Sequence, residues 1–236
     1  MKYTRRLLSV LLAVLMIALC GSCGMQSAPQ GALIPTPTPV PMVTPEEIHE
    51  VDVLMLVNPW NPIPEDYGVT LRQLENGQTV SALCYEELLQ MLSDCAEAGH
   101  SAVVCSGYRN IVLQTQLYED KVSRVIEEGH SPGRAEKIAA MEVAYPGTSE
   151  HHTGLAVDIV DAANPNLDET QAEMPAQQWL MENCHRYGFV LRYPEGKSDR
   201  TGIIYEPWHY RYVGEEAAEV MHEEGLCLEE YLEEYE

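Results

Sequence analysis

The chain is poor in positive charge. Lys and Arg number 14 against 37 Asp and Glu, a net charge of −23 over 236 residues. A polyanion is bound by clustered cations that displace its counterions, so this balance excludes nucleic acid as a partner. It also excludes electrostatic adhesion to anionic lipid heads. Phenylalanine is nearly missing: one Phe against 13 Tyr and 3 Trp. No Cys-x-x-Cys pair occurs, and five cysteines follow the leader: Cys84, Cys95, Cys105, Cys184 and Cys227. An odd number with no paired spacing leaves two readings open, one or two disulfides or buried free thiols. No apolar run reaches the ~20 residues that a spanning helix needs. There are no internal repeats. At 45% hydrophobic and 22% charged residues the composition is that of a globular protein.

The first residues read as a leader. Lys2, Arg5 and Arg6 precede an apolar run from Leu7 to Cys20, then Gly21-Ser22-Cys23. A basic start, a short apolar stretch and small residues form a secretory signal. The pattern resembles a bacterial lipoprotein signal over residues 1–23, with Cys23 as the lipidated residue. Cys20 stands where an aliphatic residue is usual; plain secretion or an uncleaved anchor are the alternatives. Residues 24–50 form a linker, with Pro alternating with small residues from Pro35 to Pro41. Such a stretch favours an extended backbone and supplies reach, not a core. The expected location is the extracytoplasmic envelope, with the domain tethered to the membrane or released.

Residues 51–236 are expected to form one α+β domain, a small mixed or antiparallel sheet flanked by helices. Strands are expected at Val53–Val57, Ser101–Ser106 (fully buried), Ala156–Val160, Phe189–Tyr193 and Trp208–Val213. Helices are expected from Tyr85 to Gly99, from Asn110 to Glu128 with Leu113, Leu117, Val122 and Val125 inward, from Gln171 to Tyr187, and over Glu215–Glu224 and Leu228–Tyr235. In the first of these, Tyr85, Leu88, Leu89, Leu92 and Cys95 recur at helical spacing.

Three short stretches carry chemistry. In Gly154-Leu155-Ala156-Val157-Asp158-Ile159 a strand period of two puts Leu155, Val157 and Ile159 on a core face. Gly154, Ala156 and Asp158 then share the other face, two small residues beside a carboxylate. His151 just before the strand can lean into that hollow, so nitrogen and oxygen meet at one point, as Zn²⁺ prefers. The second stretch, Glu206-Pro207-Trp208-His209-Tyr210-Arg211-Tyr212-Val213, places a Glu and a His three residues apart at a strand entrance. The third, Ser106-Gly107-Tyr108-Arg109, sets an Arg where a strand turns into a helix, a position suited to an anion.

Together these stretches resemble one family, the zinc D-alanyl-D-alanine carboxypeptidases of the VanY type. Its patterns SxHxxGxAxD, ExWHxRYV and SGYR are met by Ser149 to Asp158, Glu206 to Val213 and Ser106 to Arg109. Supporting similarity lies in Leu56-Val57-Asn58, Trp60-Asn61-Pro62, Pro146 to His151, Tyr187 to Pro194 and Thr201-Gly202. His152 stands where another polar residue is usual, and leaves "the His" ambiguous. The resemblance implies one Zn²⁺ per chain, held by His151, Asp158 and His209, with a zinc site at one face of the sheet. It implies Glu206 as general base and Arg109 as a binder of negative charge, on the tetrahedral intermediate or on the substrate carboxylate. Ser106, Gln114, Ser149 and Trp208 are the further substrate-binding candidates. The implied substrate is a peptidoglycan stem peptide ending in D-alanine, cut by a monomer. Two alternatives stand beside it: an L,D-carboxypeptidase acting on tetrapeptide stems, and a zinc-containing module that binds wall peptides without cutting. No Ser-x-x-x-Lys or similar serine nucleophile motif of the penicillin-binding class is present, which disfavours covalent catalysis.

Overall fold

The structure is a computed structural model that describes residues 52–235. The leader, Cys23 and the linker lie outside the described residues. Six short strands and seven helices follow in the order β1 (Leu71–Gln73), β2 (Thr79–Ser81), α1 (Tyr85–Glu97), β3 (Ala102–Ser106), α2 (Ile111–Glu127), α3 (Pro132–Glu142), β4 (Ala156–Asp161), α4 (Pro175–Asn183), β5 (Phe189–Leu191), α5 (Ser198–Thr201), β6 (His209–Tyr212), α6 (Glu215–Glu224) and α7 (Leu228–Tyr235). Strands β1 and β2 form a hairpin; the central sheet has the order β3-β4-β6-β5. Every pairing is antiparallel, so the α+β expectation holds and the mixed option narrows to antiparallel.

The core lies on one side of β4. Leu155, Val157 and Ile159 are fully buried among Leu88, Met91, Cys95, Leu180, Phe189 and Tyr210. Helix α1 presents Leu88, Met91 and Cys95 to this core, one stripe of a 3.6-residue period. Leu89 points outward instead. A second cluster of Val190, Val213, Ala217, Ala218, Met221 and Leu228 seats α6 and α7.

Several expectations are corrected. Val53–Val57 is not a strand. Its apolar residues pack as a strap, Leu54 and Leu56 against the α6–α7 cluster. The Val53 and Met55 carbonyls accept from the Arg211 guanidinium at 2.8 and 3.0 Å, where a strand would need a neighbouring strand. Residues 171–187 are not one helix. Pro175 cannot continue a preceding turn, Met174 is extended (φ −79°, ψ 138°), and the segment divides into a 3₁₀ turn, α4 and a second 3₁₀ turn. Strand β3 is an edge strand, with Val104 buried and Val103 41% exposed. On α2 the buried positions are Gln114 and Val125, and Leu113 faces outward. Helix α3 escaped the sequence reading because its buried residues, Ala135 and Ala139, are small. Among the described residues Cys84, Cys95, Cys105, Cys184 and Cys227 form no disulfide, and burial pushes the thiols of Cys84, Cys105 and Cys184 up to about 12.

Candidate metal and catalytic centre

A β-bulge between Val104 and Ser106 resets the register of β3, so that Ser106 stands opposite Asp158. Across the next pairing Asp158 stands opposite His209. Directly opposed residues share a face. Ser106, Asp158 and His209 therefore form a row across three strands, on the side away from the hydrophobic core. The Asp158 carboxylate reaches the His209 Nδ1 at 3.0 Å through Oδ1.

His151 arrives from the 3₁₀ turn Glu150–Thr153 that precedes β4. Gly154 closes this turn with φ +72°, and its carbonyl accepts from the Ser81 N–H at 2.8 Å. A Cβ there would sit 3.0 Å from that same nitrogen. The His151 Nδ1–H donates to the Gly107 carbonyl at 2.7 Å, which leaves Nε2 free, 3.2 Å from Asp158 Oδ2. Gly107 is demanded by close packing: a Cβ would lie 2.2 Å from the Thr79 carbonyl oxygen of β2. The glycine of the Ser-Gly-Tyr-Arg stretch thus lets the hairpin approach while its carbonyl aims a histidine.

His152 plays a different part. Its Nε2 accepts from the Gly147 N–H at 3.1 Å and its Nδ1–H donates to the Arg109 carbonyl at 2.7 Å. Both ring nitrogens are engaged by backbone, so the ring clasps two loops and has no lone pair left for a metal.

The ligand atoms of His151, Asp158 and His209 all lie within 4.8 Å of one another, and all three residues are buried. Two imidazole nitrogens and a carboxylate are the donor set of a catalytic zinc site with an open fourth position. The electrostatics agree. Burial opposes protonation of His209, yet the hydrogen bond to Asp158 and the nearby Glu150 and Glu206 carboxylates push it up to about 9, so positive charge is favoured at this point. Burial opposes ionisation of Asp158, yet His151 and Arg109 hold its carboxyl well below the usual range. Burial pushes His151 down to about 4, so its imidazole is neutral, the form that ligates. The residues fit a divalent cation.

Glu206 precedes β6, with Oε2 3.6 Å from His209 Nδ1. Burial pushes its carboxyl up to about 8, against the pull of His209. Arg109 extends into the site and pairs with Asp158. Ser106 and Gln114, expected to touch substrate, stand behind it: the Arg109 guanidinium donates to Ser106 Oγ at 2.7 Å and to Gln114 Oε1 at 3.5 Å. Gln114 is itself fully buried and donates to the Ala144 carbonyl at 2.7 Å. These two orient the arginine and do not line the cavity. Ser149 and Trp208 do line it, with Arg109, His151, Asp158, Glu206 and His209. Its volume is about 430 Å³.

Four polar or aromatic residues of this cavity carry no assignment from the sequence. Tyr193 packs against His209 with the rings tilted by 44° and their centroids 4.7 Å apart, and Lys121, Arg124 and Glu142 line the wall from α2 and α3. Tyr193 follows β5 in a stretch the sequence reading had singled out, and its aromatic ring was the available signal. The α2 and α3 residues carry no signal, because a helical charge usually marks a solvated face.

The chain is similar to known proteins in sequence and in fold. The VanY family, described as D-alanyl-D-alanine carboxypeptidase, matches residues 77–215. A D-alanyl-D-alanine carboxypeptidase from Enterococcus faecalis is 45% identical over 181 residues, which cover 76% of this chain and 65% of that protein. The chain thus spans just under two thirds of that relative's length. The crystal structure of a mutant of the vancomycin-resistance D,D-pentapeptidase VanY, from a VanB-type cassette and in complex with Zn(II), superposes with a TM-score of 0.71 at 43% identity, over 76% of this chain and 98% of that one. VanYB in complex with D-alanine-D-alanine superposes with a TM-score of 0.73 at 42% identity, over 78% and 99%. Family match, sequence identity and superposition agree: the chain belongs to the VanY family of D-alanyl-D-alanine carboxypeptidases.

Proposed function

We propose that the chain is a zinc carboxypeptidase that hydrolyses the terminal D-alanine from peptidoglycan stem peptides. The observation that carries this reading is the convergence of Glu206 with His151, Asp158 and His209 at one cavity. The relatives supply the substrate class: one is named for D-alanyl-D-alanine, and another was solved with that dipeptide. The basic leader and the proline-rich segment favour export and tethering near the cell wall, with Cys23 as the lipid site.

A zinc ion in this donor set would act as a Lewis acid that lowers the pKa of water to ~7. Glu206 accepts a proton at a carboxylate oxygen as water attacks the scissile carbonyl, then donates it to the leaving D-alanine amine. Arg109 faces the same point and offsets negative charge on the substrate, at the carbonyl oxygen or the terminal carboxylate. Arg109, Lys121 and Arg124 share the cavity wall with Glu142, Asp158 and Glu206, and Arg109, beside the metal centre, is the cation suited to an anionic peptide terminus.

Mass spectrometry of defined penta- and tetrapeptides incubated with the purified, zinc-loaded protein tests this reading. Loss of one D-alanine from the pentapeptide is expected. Cleavage of the tetrapeptide alone would select the L,D-carboxypeptidase, and binding without cleavage would select the non-catalytic module.

A further inference from the structure

We propose that Glu150 is a positioning residue for the metal ligand His209, taking the Nε2–H of its ring and so turning the Nδ1 lone pair into the metal site. The inference rests on the metal-centre reading above.

Glu150 is fully buried, beside His151 in sequence, and the reaction as described gives it no task. Its Oε1 accepts from Arg192 Nε at 2.7 Å and from an Arg211 terminal nitrogen at 2.8 Å. Among the described residues its Oε2 has no hydrogen-bond partner. The His209 Nε2 also has none, and the two orphaned atoms face each other at 3.6 Å. A small rotation of either side chain closes that gap to a hydrogen bond. A neutral imidazole has one donor and one acceptor nitrogen. Once an acceptor-only carboxylate holds Nε2–H, Nδ1 is left as the acceptor, 3.0 Å from Asp158 Oδ1 and 3.6 Å from Glu206 Oε2. A carboxylate behind a ligating histidine fixes its tautomer and orientation and raises its basicity.

The carboxylate is itself held. Arg192, just after β5, bridges Glu150 to Glu229 of α7 with bonds of 2.9 and 2.7 Å to the Glu229 oxygens. Asn58 donates to Glu229 at 3.0 Å. Arg211, two residues past His209 on β6, ties Glu150 to the Val53–Met55 strap. Two anions and two cations balance in the interior. Asn58 of the Leu-Val-Asn stretch closes the far end of this ion-pair network, where it holds Glu229 rather than His209.

Zinc affinity by chelator competition and ring-nitrogen NMR of ¹⁵N-histidine protein test the proposal. In the zinc-loaded parent, His209 is expected to carry its proton on Nε2 and coordinate through Nδ1. Glu150→Gln should lower zinc affinity by ~10–100-fold. The two arginines claim the amide oxygen, so the amide NH₂ faces Nε2 and favours the wrong tautomer. Glu229→Gln removes a negative charge from the same network without touching His209, and should keep parental zinc affinity while lowering Tm. Coordination through Nε2, parental affinity in Glu150→Gln, or equal loss in both variants would overturn the proposal. If Glu150→Gln does not fold, the ring-nitrogen assignment in the parent decides alone. A parent that binds no zinc would instead sink the metal-centre reading on which the proposal stands.

Discussion

Glu206 and the two adjacent histidines show how one position differs from its neighbour. Glu206 reaches the ligand cluster without belonging to it, so its removal should affect the transition state more than the metal. Glu206→Gln keeps the size of the side chain but cannot accept a proton. Zinc content should stay near parental while kcat falls by at least ~10²-fold, about 2.7 kcal/mol of barrier. Steady-state D-alanine release with zinc analysis checks this; a rate close to the parent would remove Glu206 as the base. His151 and His152 separate by what their ring nitrogens touch. His151→Ala should abolish stoichiometric zinc. His152→Ala should retain most of it and lower Tm, because it loses two backbone hydrogen bonds of about 1 kcal/mol each. Zinc retained in the first variant and lost in the second would reverse the assignment.

At the scale of elements, the centre is assembled by register. The β3 bulge and the β4–β6 pairing line up Ser106, Asp158 and His209, and a one-residue slip of either strand would turn that row to the opposite face. The β1–β2 hairpin guards this register by packing on Gly107. Gly107→Ala would drive a Cβ into the Thr79 carbonyl, and Tyr108 donates to that same carbonyl at 2.6 Å. Overpacking of this kind typically costs ~1–3 kcal/mol. Urea unfolding should show that loss, and zinc affinity should fall with it, because the Gly107 carbonyl orients His151. Unchanged stability would mean that the hairpin yields freely and does not set the site. The alternation along β4 and β6 was legible beforehand, since a strand period of two needs only local spacing. The strand expected at Val53–Val57 was not borne out, because an apolar run does not reveal whether a partner strand or an arginine will take its carbonyls.

At the scale of the whole molecule, the excess of acidic residues favours solubility, whereas the cavity wall mixes three cations with three carboxylates. If Cys23 carries the lipid, Cys23→Ser should give unprocessed or unacylated protein, with changed membrane fractionation and a changed intact mass. Fractionation and intact-mass spectrometry check both. Unchanged behaviour would point to Cys20 or to an uncleaved anchor.

The sequence alone determined the ligand types and the faces they occupy. Spacing of two put Asp158 opposite to Leu155, Val157 and Ile159, and three matched stretches identified the family. The distinction between His151 and His152 required tertiary structure, because adjacent residues differ only in which distant backbone groups meet their rings. The same holds for Ser106 and Gln114, which hold Arg109 in place of substrate, and for α3, whose buried alanines give almost no apolar signal. Glu150 is the strongest case. Its neighbours in space come from β5, β6, α7 and the Val53–Asn58 strap, and no local pattern can show that a carboxylate beside one ligand stands behind another.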